Sequence, residues 1–475
     1  MTLKKVLVSC LGAAVLGGIV AGGGAVVAQS NEQFIPMLSY RVGPYAAGGT
    51  GIFGGFIDYI NLLNERDGGI NGVKITYEEC ETEYKPDRAL ECYERLKNSG
   101  PTGASMFNFV ATPPVYATMD RTLEDKIPVV AIGYGPAYTA DGRVFPYIFP
   151  LVTTYWSQNT AKIKFIALQE QCLAQYPDLE GKPDRAAQCF EHAKKGELQG
   201  DGLDKLKGKK IVNLYHDSGY GKETKPILDA QAEKYGFQVV YIPVPHPGNE
   251  QQSQWLQIRR EKPDWVILRG WGVMNPTAIT QAARIKFPAD RIVGVWWSGA
   301  EEDVVPAGDA AIGFIAAALN PAGDQFPAIK QIEELLYSKG KGNMQDPSRV
   351  GSVYYNRGII HGVLNTEAIR KAQEKFGNKP LTGEQVRWGL ENLEITEARL
   401  KELGLEGVMS PIKISCADHE GGAPVRFHQW NGKQWVLVSD WIATDQSLVR
   451  PLVEKEAANY AKEKNLPIRD CSKES

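Results

Sequence analysis

The sequence predicts an α/β protein made of two doubly wound lobes. Three observations carry that prediction. Short apolar, β-branched runs alternate with helical stretches over most of the chain. A chain of 475 residues exceeds one ordinary hydrophobic core. A long, charged helical stretch, 157–209, separates one strand–helix series from the next.

The elements follow in order. Ile35–Tyr40, Lys74–Glu79, Ala104–Phe109 and Pro128–Ile132 read as the strands of the first series, which ends near Phe149-Pro150. Lys210–Tyr215, Gln238–Val244, Trp265–Arg269, Arg291–Val295 and Gly313–Ala317 read as those of the second. Most are apolar on both faces, as strands of a buried parallel sheet must be. Gly54–Glu65, Asp87–Asn98, Pro114–Asp125, Lys222–Lys234, Gln251–Glu261 and Pro276–Lys286 read as the helices between them. A helical block, 325–403, precedes a β-rich tail. There Val425–Trp430 and Gln434–Trp441 flank Asn431-Gly432, a two-residue hairpin signal.

The chain opens with Met1-Thr-Leu-Lys-Lys5 and an apolar run from Val6 to Val27, the pattern of an export signal cut after Ala28. Leu7-Val8-Ser9-Cys10 imitates a lipoprotein box but sits too early for one. The formal charge of −3 is spread along the chain, so neither composition nor a basic patch points to nucleic acid. Six of the seven cysteines follow the leader, and an even number in an oxidising compartment suggests disulfides. Many pairings are open. Proximity favours Cys80–Cys92, Cys172–Cys189 and Cys416–Cys471. No CxxC or HxxxH pair supports a metal site.

Other motifs weaken on inspection. Gly49-Thr-Gly51-Ile-Phe-Gly54 satisfies GxGxxG, but the loop from Val42 to Gly48 separates it from its strand. It reads better as a flexible turn with backbone N–H groups toward a cleft. Gly219-Tyr-Gly-Lys-Glu-Thr224 has Glu223 where a phosphate loop needs Ser or Thr. The histidines, at 192, 216, 246, 361, 419 and 428, show no catalytic or ligand spacing; His419 and His428 near Cys416 and Asp418 read as a solvated turn rather than a metal site. No catalysis and no cofactor are expected.

Four segments carry a family resemblance: Leu38-Ser-Tyr-Arg-Val-Gly-Pro-Tyr-Ala-Ala-Gly-Gly-Thr-Gly51, Asn61-Leu-Leu-Asn64 with Gly68-Gly-Ile-Asn-Gly72, His216-Asp-Ser-Gly-Tyr-Gly221, and Arg269-Gly-Trp-Gly272. In order and spacing the chain resembles the periplasmic substrate-binding proteins of ABC importers, closest to the branched-chain amino acid (leucine/isoleucine/valine-type) group. The likeness is weakest over 160–205 and after 450. It implies a type I periplasmic binding protein, a Venus-flytrap of two lobes joined by a three-strand hinge. Lobe 1 would hold 31–150 and 319–407, lobe 2 would hold 151–318 and 408–460, and 461–475 would form a tail. It also implies a monomer in the periplasm that passes a small molecule to membrane permease subunits.

Ligands of doubly wound sheets lie beyond the C-terminal strand ends. By the resemblance, Ala111-Thr112 and Gly133-Tyr134-Gly135 grip a ligand carboxylate. Tyr220 matches a family tyrosine, and Trp271 falls where relatives place a closing aromatic. Where relatives that bind α-amino acids carry an acid for the ammonium, this chain carries Ser298, with Glu301 and Glu302 just downstream as substitutes. A buried ammonium without a partner is costly. The aromatics Tyr134, Tyr155, Trp156, Tyr220, Trp271, Trp296 and Trp297 instead suit a planar or apolar ligand. At most one of Trp296 and Trp297 is expected in the cleft. Arg41 and Tyr45 sit at the end of the first strand, where Arg41 either pairs an acidic ligand group or braces the glycine-rich loop.

Overall fold

A computed structural model describes residues 30–473. The expected leader and its cleavage point at Ala28 lie outside the described residues. The first sheet is parallel and loosely bonded. β1 (Glu32–Phe34) pairs with β2 (Lys74–Thr76), and β3 (Val129–Ile132) with β4 (Ile148–Leu151). The extended run 104–109 fills the gap. Ser105 N–H donates to Phe34 O (3.1 Å) and Val130 N–H to Phe107 O (2.8 Å). The order is β2, β1, the 104–109 run, β3, β4. Strand β4 has no counterpart in the sequence prediction, which ends the first series near Phe149-Pro150. An edge position tolerates Pro150, since the missing N–H faces away from the partner.

The second sheet has seven strands. β5 (Lys210–His216), β6 (Gln238–Val244), β7 (Trp265–Arg269), β8 (Ile292–Gly294) and β9 (Ile315–Ala318) are parallel, in the order β6-β5-β7-β8-β9. A small antiparallel pair, β10 (Glu394–Ile395) and β11 (Ile412–Lys413), belongs with the first lobe's helices. β12 (Arg426–Trp430) and β13 (Trp435–Leu437) then extend the second sheet antiparallel. Their turn is longer than the two residues expected. Trp430 pairs with Trp435, and Asn431 Oδ1 accepts from the N–H groups of Lys433 and Gln434, both at 2.9 Å. The side chain thus closes a four-residue loop.

The chain leaves the first sheet after β4, returns after β9, and crosses again between β11 and β12. A fourth connection follows. The helix Gln446–Lys464 starts on the second lobe, where Asp445 N–H donates to Thr160 Oγ1 (2.8 Å) and its carboxylate pairs with Lys234 (3.0 Å). It ends on the first, where Tyr460 and Lys464 meet Asp120 at 2.6 and 2.9 Å. The Cys416–Cys471 disulfide anchors the chain beyond it. Cys80–Cys92 and Cys172–Cys189 are likewise bonded. The latter closes a small core with Leu173 and Leu179. Arg185 fixes this insertion to the second lobe through Asp290 (2.7 Å) and the face of Trp265.

One reading is corrected. The glycines from Gly48 to Gly55 are not a flexible turn; they lie inside the helix Ala46–Asp67. A Cβ on Gly55 would overlap Tyr355 O, and one on Gly358 would overlap Ile52 O. Both glycines let this helix and Val353–Phe376 approach backbone to backbone. The helix tolerates them because packing outweighs their poor propensity. No described helix is long and apolar enough to cross a membrane.

Candidate functional site

Between the lobes, at the C-terminal ends of both sheets, lies a narrow and nearly filled cavity of about 10 Å³, room for about one water molecule. Tyr84, Val110, Ala111, Thr112 and Tyr134 form its first-lobe wall. Tyr155, Tyr220, Trp271 and Trp297 form the second. Local chemistry explains each placement. Thr112 opens the helix Thr112–Asp125, and its hydroxyl accepts from Gly135 N–H (3.1 Å). Gly133 and Gly135 have φ of 64° and 96°, so the turn carrying Tyr134 needs glycine on both sides. Val110 holds φ 50°, a costly conformation for a β-branched residue, and Tyr40 Oη donates to its carbonyl (3.1 Å).

On the second lobe, Thr154 caps the helix Tyr155–Gln175 and Ser218 caps the turn Gly219–Lys222, setting Tyr155 and Tyr220 at the cavity. Arg269 ends β7 between their rings, 4.0 Å from Tyr155 and 4.6 Å from Tyr220, and donates twice to Tyr220 O. Trp297 Nε1 donates to Tyr155 Oη (2.8 Å). Trp297 lines the cavity, while Trp296 is buried behind Gly133. Trp156 lies elsewhere, donating to Glu223 O (2.7 Å).

Ala111, Thr112, Tyr134, Tyr220 and Trp271 therefore share one wall-lined space, with Gly133 and Gly135 at its edge. Four other candidates are engaged outside it. Arg41 pairs with Glu79 and donates to Asn343 (2.7 Å), which braces the loop rather than presenting a cation to the cavity. Tyr45 Oη bonds His216 Nε2 (2.9 Å) and His246 Nδ1. Ser298 bonds Asn275 (3.1 Å) behind the wall. Glu301 accepts from Val353 N–H (3.0 Å). Glu302 is paired with Arg349, so neither acid stands free for an ammonium. Tyr84 and Val110 escaped sequence reasoning because they follow strand ends without a motif. Their positive φ is visible only in three dimensions.

These outlying contacts join the lobes. Asp303 accepts from Tyr354 Oη (2.7 Å) and Asn275 (2.8 Å). Glu223 accepts from Tyr116 Oη (2.5 Å) and Ala137 N–H (2.7 Å). Burial pushes Glu301 and Asp303 up to about 7 and raises Glu223. Burial, then the neighbouring His246, pushes His216 down to about 4. His419 and His428 do not meet: one stacks on Phe149, the other on Trp435. Among the described residues no trio of His, Cys, Asp or Glu gathers to hold a metal.

Two α/β lobes closed over a small aromatic-walled cavity define a ligand-capturing receptor of the Venus-flytrap class. Residues 32–434 match the periplasmic binding protein family, and the chain belongs to it. It is 45% identical to a solved protein of the Pseudomonas fluorescens group described as an ABC transporter permease, covering 93% of this chain and all of that one, with a TM-score of 0.81. The fold is also shared with a Thermus thermophilus branched-chain amino acid ABC transporter protein with bound valine (20% identity, 89% and 98% covered, TM-score 0.67). A third example is a Rhodopseudomonas palustris solute-binding protein in complex with benzoate (16% identity, 88% and 98% covered, TM-score 0.60). No curated protein matches the chain.

Proposed function

We propose that this chain is the periplasmic solute-binding component of an ABC importer. It works as a monomer, closes on one small molecule in the interlobe cavity, and delivers it unchanged to membrane permease subunits. Ligand binding shifts an open–closed equilibrium, because only the closed form offers both walls. The ligand is an aromatic or short-chain carboxylate, or an amide, rather than leucine or valine. One observation carries that choice: the cavity wall is tyrosine, tryptophan, valine, alanine and threonine, with no carboxylate to meet an ammonium. The fold-sharing proteins with bound valine and benzoate support the view that this architecture accommodates both ligand chemistries.

A thermal-shift screen of residues 29–475 tests it. A ligand that binds only the folded state raises the melting temperature by about 2.7 kcal/mol of stabilisation at a hundred-fold excess over Kd. Stabilisation by benzoate, 4-methylpentanoate or benzamide, with leucine inert, is expected. Stabilisation by leucine and valine alone would refute the ligand class.

A further inference from the structure

Three of the cavity's aromatic side chains have their polar atoms engaged within the protein. Tyr220 Oη donates to Gly270 O (2.8 Å), Tyr134 Oη to Val130 O (2.9 Å), and Trp297 Nε1 to Tyr155 Oη (2.8 Å). Trp271 differs from these three. It lines the cavity, is 4% exposed, and its indole nitrogen has no hydrogen-bond partner among the described residues. A buried donor left unpaired costs about 1–3 kcal/mol. The ring is also held. Gly48 lies so close to its outer edge that a Cβ there would crowd Cη2 (2.6 Å). Tyr45 stacks parallel to it at 6.2 Å, and Trp297 and Tyr354 meet it edge-on at 5.4 and 5.5 Å.

Two cations lie directly behind the walls. Arg269 lies over Tyr155 and Tyr220, and Arg357 over Trp297 at 4.8 Å. Neither has an ion-pair partner among the described residues; Arg357 donates instead to Trp296 O (2.7 Å) and Asn320 (3.1 Å). The nearby acids Glu223 and Asp303 are occupied by Tyr116 and Ala137, and by Tyr354 and Asn275.

We propose that Trp271 is the specificity-determining residue of this receptor: its indole N–H donates to an acceptor oxygen of the ligand, while the cation-backed walls exclude an ammonium at that site. This rests on the reading of the cavity as the ligand site. The required ligand is small, at least partly planar or apolar, and carries a carboxylate or amide oxygen.

Indole ¹H–¹⁵N spectra of the labelled chain, with Trp271→Phe assigning the peak (Trp271→Tyr if that variant does not fold), provide the test. The probes are benzoate, benzamide, 4-methylpentanoate, leucine and toluene, each also followed by calorimetry. The expected result is that a bound acid or amide moves the Trp271 peak downfield. Removing the indole N–H should weaken that ligand about ten-fold, equivalent to one net hydrogen bond, with a smaller effect on toluene. If an acid or amide binds but leaves the Trp271 peak in place and binds the variant equally well, this inference fails while the ligand class stands. If leucine binds and 4-methylpentanoate does not, or if no probe binds, the ligand class falls and the inference with it.

Discussion

Two of the contacts that hold the lobes together are built from opposite chemistry. In one, Tyr45 of the first lobe lies between His216 and His246 of the second. In the other, consecutive acids of the second lobe, Glu301, Glu302 and Asp303, meet Val353 N–H, Arg349 and Tyr354 of the first. Burial favours the neutral forms of His216, Glu301 and Asp303, which drives the histidine down and these two carboxyls up. Lobe closure here is therefore a desolvation event at both contacts. The difference between them lies in the direction in which each responds to protons.

The largest expected effect comes from breaking the carboxyl contact at its buried centre. Asp303→Ala leaves Tyr354 Oη and the Asn275 amide without their shared acceptor. A loss of about 2–4 kcal/mol of stability is expected by chemical denaturation. Asp303→Asn, which preserves an acceptor, should cost markedly less. Equal losses for the two would mean that packing rather than hydrogen bonding makes this contact.

The second effect separates the two contacts by pH. Unfolded His216 takes up a proton below about 6.5, whereas folded His216 resists down to about 4. Relative to His216→Asn, the wild-type chain should therefore lose stability as pH falls through that window. Unfolded Glu301 releases its proton above about 4.5, whereas folded Glu301 keeps it up to about 7. Relative to Glu301→Gln, the wild type should lose stability as pH rises through that window. Each difference approaches at most roughly 3 kcal/mol. Calorimetry of the three proteins across pH checks it; two differences of the same sign would remove the contrast.

The smallest effect is at the rim. Arg349 and Glu302 keep 24% and 13% of their side-chain surface exposed. Arg349→Met should therefore cost at most about 1 kcal/mol, less at high salt. A larger, salt-insensitive loss would mark the pair as part of the buried contact, through the Arg349 bond to Ala47 O (2.6 Å).

The comparison also shows where sequence reasoning stopped. The second series of strands was legible because β-branched apolar runs such as Lys210–His216 and Trp265–Arg269 are buried on both faces, and a local pattern reports that directly; in the first series β1 falls at Glu32–Phe34, before the expected Ile35–Tyr40, and 104–109 is extended without being a regular strand. Strand β4 was not legible, because Pro150 is acceptable only at an edge and edge position is not a local property. Gly48, Gly49 and Gly51 read as a turn because what requires them lies outside the local pattern: Gly48 faces Trp271, Gly49 faces Tyr40 and Gly51 faces Tyr354. The helix Gln446–Lys464 gave no sign that it spans both lobes, since each end is fixed by a partner far off in sequence, Thr160 at one and Asp120 at the other.

The sequence by itself determined the α/β class and the two strand–helix series, and it put Ala111, Thr112, Tyr134, Tyr220 and Trp271 at strand ends. Periodicity, turn chemistry and strand direction are encoded within a few residues, so they can be read there. Only the tertiary structure decided which of these side chains face one another, that Arg41 and Glu301 are engaged outside the cavity, and that the Trp271 N–H has no partner among the described residues. Those outcomes depend on which buried polar groups satisfy each other across the two lobes, and that matching is set by packing between segments distant in the chain.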